Sequence, residues 1–259
     1  GGDQAAVKTR NGFDFYGGVS KGVEKRTKVR TRVVASALLE LIQGSDNVLV
    51  MGHRFSDLDC VGSAVALASA VRSLGKPAYV AIQKAQTLAP ELLERYRGAG
   101  RGDLFIEPDE ALPMMTRRTL LIITDTHNPR MLDSGKLYES ATTVVVIDHH
   151  RKMVDHIDNA VIFYHEPYSS SASEMVAELV QYLSGCVVSR LDAEALLAGI
   201  MLDTKNFIIG TGARTFEAAA YLRKLGADMV EVRKLFSTSM DDYQNRSKLV
   251  SSAEIYRGC

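Results

Sequence analysis

Three separate stretches of the chain set acidic and imidazole side chains directly after runs of apolar, β-branched residues. "VLVMGHRFSDLD" delivers His53, Asp57 and Asp59; "LLIITDTH" delivers Asp125 and His127; "VVVIDHH" delivers Asp148, His149 and His150. A polar turn, where a buried strand surfaces, explains any one of them. Three in order suggest a composite site. In an open parallel sheet the carboxyl ends of the strands share one edge, and ligands bind there near the switch in strand order.

A fourth contribution comes from "AEALLAGIMLDTKNF". Its run from Ala195 to Leu202 is apolar on every side, which describes a buried helix, and Asp203 stands at its end. The helix dipole disfavours negative charge there, and a carboxylate near a buried terminus is costly unless paired, hydrogen-bonded or bound to a metal. Lys205 is one candidate partner. The four carboxylates Asp57, Asp59, Asp125 and Asp203 carry the charge that two divalent cations would cancel. Carboxylates and imidazoles without thiolate suit Mn²⁺, with Mg²⁺ or Co²⁺ as substitutes, and suit a cysteine-rich structural zinc site poorly. Asp59, which opens a helix, is expected to be kept ionised by that N-terminus.

The elements that must position these groups follow from pattern. "NVLVMG", "AYVAI", "TLLIITD" and "ATTVVVID" read as short buried strands, with "NAVIFYH" as a further candidate. Between them lie the helical stretches "LDCVGSAVALASAVRS", closed by Gly75 and Pro77, and "APELLERYRG". Continuous apolar strands alternating with helices predict an α/β fold, a mostly parallel sheet with helices on both faces. After Ser169 the chain becomes helical. Ser171 with Glu174, and Ser189 with Asp192, have capping-box spacing. Residues 1 to 28 show no sustained period and read as a tail plus linker, the basic "KGVEKRTKVRTR" being a solvated entry to a helix from Val33 to Ile42.

With 259 residues, ordinary apolar content and 31 basic against 31 acidic side chains, the chain can bury a large core and carries no global field for duplex DNA. Three cysteines without paired spacing (Cys60, Cys186, Cys259) read as reduced thiols, and no apolar run reaches membrane-spanning length. The start at Gly1 shows no signal peptide, and the missing initiator Met suggests a piece of something longer.

His53-x₃-Asp57-x-Asp59, Asp125, Asp148-His149-His150 and Asp203, in this order, resemble the motif set of the DHH phosphoesterase family over roughly residues 45 to 210. The flanking "GGDQAAVK" and "EKRTKVRTRVVASAL" are similar to the membrane-anchored cyclic-di-AMP phosphodiesterases, in which a degenerate GGDEF domain precedes the DHH domain. The resemblance implies one metal on His53, Asp57 and Asp125 and a second on Asp59, Asp125, His149 and Asp203, with Asp125 as the bridge. It implies that His150 faces the substrate phosphate and that Asp148 orients the histidine turn. It further implies three segments: 1–28 as the tail of a preceding domain and linker, 29–236 as the DHH domain, and 237–259 as a helical connector. The smaller Gly-Gly-His domain that usually follows in the family is expected to be absent from or truncated in this stretch.

Function follows from the same likeness. The expected reaction is Mn²⁺-dependent hydrolysis of cyclic di-AMP to 5′-pApA, a metal-bridging hydroxide attacking phosphorus in line, with Asp125 and His150 as the catalytic pair. Alternatives are an oligoribonuclease or adenosine bisphosphate phosphatase of the same family, or a sensor that binds nucleotide and metal without turnover. The expected setting is the cytoplasmic face of a membrane, through segments beyond this chain, and a homodimer is compatible. His127, Arg130, Ser170 and Ser171 are further candidates for phosphate contacts, Ser171 being equally explained as a helix cap. Cys60 reads as core packing, and His156 and His165 as structural.

Overall fold

The apolar runs pair into one six-stranded parallel sheet. A computed structural model describes residues 28–236 in full and, before them, the backbone of two strands, β1 (Gln4–Thr9) and β2 (Gly12–Gly17). These two pair antiparallel, Gln4 opposite Gly17 and Thr9 opposite Gly12, where the sequence suggests only a tail. Neither stretch alternates apolar and polar residues strictly, so the period-two signal of a strand is missing. The expected connector at 237–259 lies outside the described residues.

Helix α1 (Lys28–Gly44) begins earlier than its apolar period, its first turn being the basic stretch. Then follow β3 (Val48–Met51), α2 (Leu58–Ser73), β4 (Ala78–Ala81), α3 (Pro90–Gly98), β5 (Phe105–Ile106) and α4 (Pro108–Ala111). Next come β6 (Leu120–Thr124), α5 (Gly135–Ser140), β7 (Thr143–Asp148) and β8 (Ile162–His165). The chain closes with α6 (Ala172–Val180), α7 (Arg190–Asp203), α8 (Ala213–Lys224) and α9 (Met229–Lys234).

Strand order is β5-β4-β3-β6-β7-β8. From β3 the chain winds outward to β5, then returns to place β6 on the other side of β3, with Met51 opposite Ile123. The switch point therefore falls between β3 and β6, the strands that end before His53 and at Asp125. Alternate residues of each strand enter separate cores. Val48, Val50, Leu120, Ile122, Val145 and Ile147 face α1, α2, α6 and α7. Leu49, Met51, Leu121, Ile123, Val144 and Val146 face a thinner layer around Leu132, Leu137 and Ile157. Burial on both faces is why these strands read as continuous apolar runs.

Local chemistry starts the helices where the site needs them. Asp57 caps α2, its Oδ1 accepting from the amides of Asp59 (2.9 Å) and Cys60 (3.1 Å). Ser189 and Asp192 form the reciprocal box at α7. Ser171 caps α6, but the Glu174 carboxylate goes instead to the hydroxyls of Ser169, Ser170 and Thr215. α1 is joined to this body by Thr31 Oγ1 against Tyr164 Oη at 3.1 Å and by Arg30 with Glu166.

Two glycines set the crossing of α2 and α7. A Cβ on Gly62 would stand 2.5 Å from the Ala195 carbonyl oxygen, and one on Gly199 would stand 2.7 Å from Asp59 Oδ1 and 2.8 Å from its Cα. The crossing brings Asp59 and Asp203 to the same rim. Gly199→Ala is therefore expected to destabilise the fold by about 1–3 kcal/mol, the usual cost of overpacking a filled core. Urea unfolding measures this, and an unchanged midpoint would refute so close a crossing.

Candidate metal centre

Each acid and imidazole predicted from the strand ends is carried to the edge outside β3, β6 and β7. Beyond β3, His53 donates Nδ1–H to the Arg54 carbonyl at 2.9 Å, which leaves Nε2 directed at Asp125 Oδ2, 3.4 Å away. Asp125 follows β6 directly, with a left-handed backbone (φ 62°) and its amide bonded to Ile147 of β7 at 3.0 Å. Such a conformation costs a non-glycine residue about 1–3 kcal/mol and aims the carboxylate along the rim.

The other Asp125 oxygen, Oδ1, lies 3.3 Å from His149 Nε2. That nitrogen is also 3.2 Å from Asp203 Oδ2 and 3.8 Å from Asp59 Oδ2. Asp203 finds its basic neighbour in His149; among the described residues it has no ion pair with Lys205. One aspartate thus stands between two groups of donors, an oxygen toward each.

Asp59 is fully buried and is met end-on by α6: the amides of Ala172 (2.7 Å) and Ser173 (2.8 Å) donate to its two oxygens. The anion-binding N-terminus that the sequence offers to a substrate phosphate is filled by a carboxylate of the chain itself. Ser170 and Ser171 are engaged in the first turn of α6, with Glu174 and as cap respectively. His127 is buried too. Its Nε2 accepts the Met153 amide at 2.9 Å, so Nδ1 carries the proton donated to Asp148 Oδ2, and neither nitrogen is left for a phosphate. Arg130 pairs with Asp155 at 2.9 Å on the exposed side. Asp148 also accepts from His150 Nδ1 at 2.8 Å, which fixes the half-exposed His150 ring beside the cleft.

Charge crowding sets the electrostatics. Burial and the neighbouring carboxylates of Asp125 and Asp203 push Asp59 well above the ordinary carboxylate range, contrary to the expectation that the helix end keeps it ionised. Burial and Asp125 also raise Asp57. Burial opposes ionisation of Asp125 as well, yet the imidazoles of His149 and His53 outweigh it and hold this carboxyl below its usual value. Burial works against charge on those two rings, but their acidic neighbours, with Cys60 beside His53, win: His53 is raised to about 12 and His149 to about 11.

The arrangement fits divalent cations. Asp125 Oδ1 and His149 Nε2 are buried and meet no hydrogen-bond partner in acceptable geometry. Donor atoms of Asp59, His149 and Asp203 lie within 4.8 Å of one another, as do those of Asp125, His149 and His150, and those of His53, Cys60 and Asp125. Asp57 lines the same cleft but lies outside these clusters. Cys60, read from sequence as core packing alone, is inside one of them. The signal for it was its place next to Asp59, masked by the apolar face of its helix. A cleft of about 450 Å³ opens over the donors, lined also by Asn128, Met131 and Met153.

Similarity to known proteins extends over most of the chain. Residues 47–200 match the N-terminal domain of the DHH family. The chain is 45% identical to the cyclic-di-AMP phosphodiesterase GdpP of Geobacillus thermodenitrificans over 98% of this chain and 40% of that protein. It is 41% identical to the cyclic-di-AMP phosphodiesterase PdeA of Listeria monocytogenes over 99% of this chain and 40% of the relative. The chain thus spans about two fifths of the length of these relatives. In fold it resembles an exopolyphosphatase-related protein of Bacteroides fragilis, with a TM-score of 0.73 and 19% identity over 91% of this chain and 68% of that one. No helix among the described residues is long and apolar enough to cross a membrane. The chain belongs to the DHH family.

Proposed function

We propose that the chain forms the catalytic DHH part of a metal-dependent phosphodiesterase that hydrolyses cyclic di-AMP to 5′-pApA. The observation that carries the proposal is the position of Asp125, one oxygen toward His53 and the other toward His149 with Asp203. The names of its near relatives supply the substrate. His53, Asp57 and Asp125 would hold one cation, and Asp59, Asp125, His149 and Asp203 the other. Mn²⁺ suits this oxygen and nitrogen set, with Mg²⁺ or Co²⁺ as substitutes. Bound there, such ions supply Lewis acidity and a water of lowered pKa.

The chain's own residues do the positioning. Asp148 accepts from Nδ1 of His150 and raises the ring above its ordinary value, so the protonated ring can also donate from its opposite nitrogen to a phosphoryl oxygen as charge develops there. Attack by water breaks one P–O3′ bond of the cyclic substrate, leaving a 5′-phosphate on the linear dinucleotide. In the longer protein, residues 1–28 would follow a preceding domain, 29–236 would carry the chemistry, and 237–259 would lead to a further substrate-binding domain. That protein would be anchored at the cytoplasmic face of a membrane, and a homodimer is compatible with the proposal.

Side-by-side assays of cyclic di-AMP, pApA and a short RNA test the substrate. Preference for cyclic di-AMP is expected, and preference for pApA would overturn the ranking. Asp125→Asn should lower turnover about 10³-fold, since several kcal/mol of transition-state stabilisation would be lost, and Asp148→Asn about 10–100-fold. Full activity in Asp125→Asn would end the bridging assignment. Metal uptake should also depend on pH. With His53 raised to about 12 and His149 to about 11, both rings carry protons at neutral pH, and a cation must displace them. Affinity should therefore fall as pH is lowered. Titration calorimetry in buffers of different ionisation enthalpy should report proton release, and none would contradict the ligand set.

A further inference from the structure

Cys60, the third residue of α2, is 2% exposed, and the chemistry proposed above leaves its thiol unused. Its sulfur nonetheless lies beside donors of the centre. Sγ, a His53 nitrogen and an Asp125 oxygen lie within 4.8 Å of one another. Sγ also rests over the backbone between β3 and His53, since a Cβ on Gly52 would stand only 2.0 Å from it. Asp57, the expected third member of this end, has one oxygen committed to the α2 cap and lies outside the cluster.

A second observation lies beside the sulfur. A small cavity there is shared with Ser56 and Asp133, and Asp133 Oδ1 is buried with no hydrogen-bond partner. The orphaned Asp125 oxygen, Oδ1, faces His149 at the opposite end. Bonds of about 2.0–2.3 Å from nitrogen, oxygen or sulfur to one ion put its donors about 3–4.5 Å apart, and this cluster approaches that spacing.

We propose that Cys60 supplies a sulfur ligand at the His53–Asp125 end of the centre, so that the two ends offer unlike donor sets. This rests on the reading that the centre holds divalent cations. Ligation forms a metal–sulfur bond and breaks the S–H bond, the proton passing to solvent. The end with sulfur then favours thiophilic ions such as Co²⁺, Zn²⁺ or Cd²⁺, whereas the Asp59–His149–Asp203 end, with oxygen and nitrogen alone, suits Mn²⁺.

The test uses Co²⁺ and Cd²⁺ on the full chain carrying Cys186→Ala and Cys259→Ala, so that Cys60 is the remaining thiol. Co²⁺ should give a near-ultraviolet sulfur-to-metal charge-transfer band. Cys60→Ala should abolish it, and so should Cys60→Ser, which preserves the side-chain volume. Calorimetry should still find two ions in both variants, with Cd²⁺ affinity at one site weakened about tenfold or more and Mn²⁺ affinity changed far less. Two bound ions without the band, or the same band in Cys60→Ala, would overturn the sulfur ligand and leave the metal centre standing. Failure of any divalent ion to bind would sink both.

Discussion

Asp125 is an ionised carboxylate in the interior of a protein, and much of the surrounding structure answers to that fact. A buried charge is tolerated when it is paired and hydrogen-bonded. Here the pairing comes from two imidazoles, His53 on one side and His149 on the other, each close to a different oxygen. Both rings hold protons far above their ordinary range because acids surround them. Protonated rings do in this state part of what cations would do: they hold Asp125 ionised, while burial and crowding still push Asp57 and Asp59 up.

The neighbouring acids are kept in place by backbone. Asp57 is the cap of α2, and Asp59 receives the first amides of α6. Both arrangements couple ligand position to helix position. The close crossing of α2 and α7 at Gly62 and Gly199 then fixes how far Asp203 stands from Asp59. A site built this way is stiff, since moving one carboxylate means moving a helix.

Much of this was legible in the sequence, for identifiable reasons. The strands β3, β6 and β7 are buried on both faces, so each appears as an unbroken apolar run, and the acids after them mark where the run surfaces. Family likeness supplied the grouping, and the geometry brings Asp59, Asp125, His149 and Asp203 together. The side chains meant for substrate fared differently. His127 and Ser171 carry groups that suit a phosphate, but buried internal partners had already engaged them, and only three-dimensional contact reveals such competition. Cys60 was hidden for a similar reason, because the same turn of helix faces both the apolar core and the donors of the centre.

The donors come from positions 53, 59, 125, 149 and 203, so they meet only when the sheet and its helices have closed over long spans of chain. Bringing such distant segments together is slow, because loop entropy must be surrendered before the contacts form. No fragment of the chain holds more than a part of the constellation. Any ion captured there binds the finished fold and not its precursors, and so adds to the folded population by mass action, about 2.7 kcal/mol at a hundredfold excess over its dissociation constant.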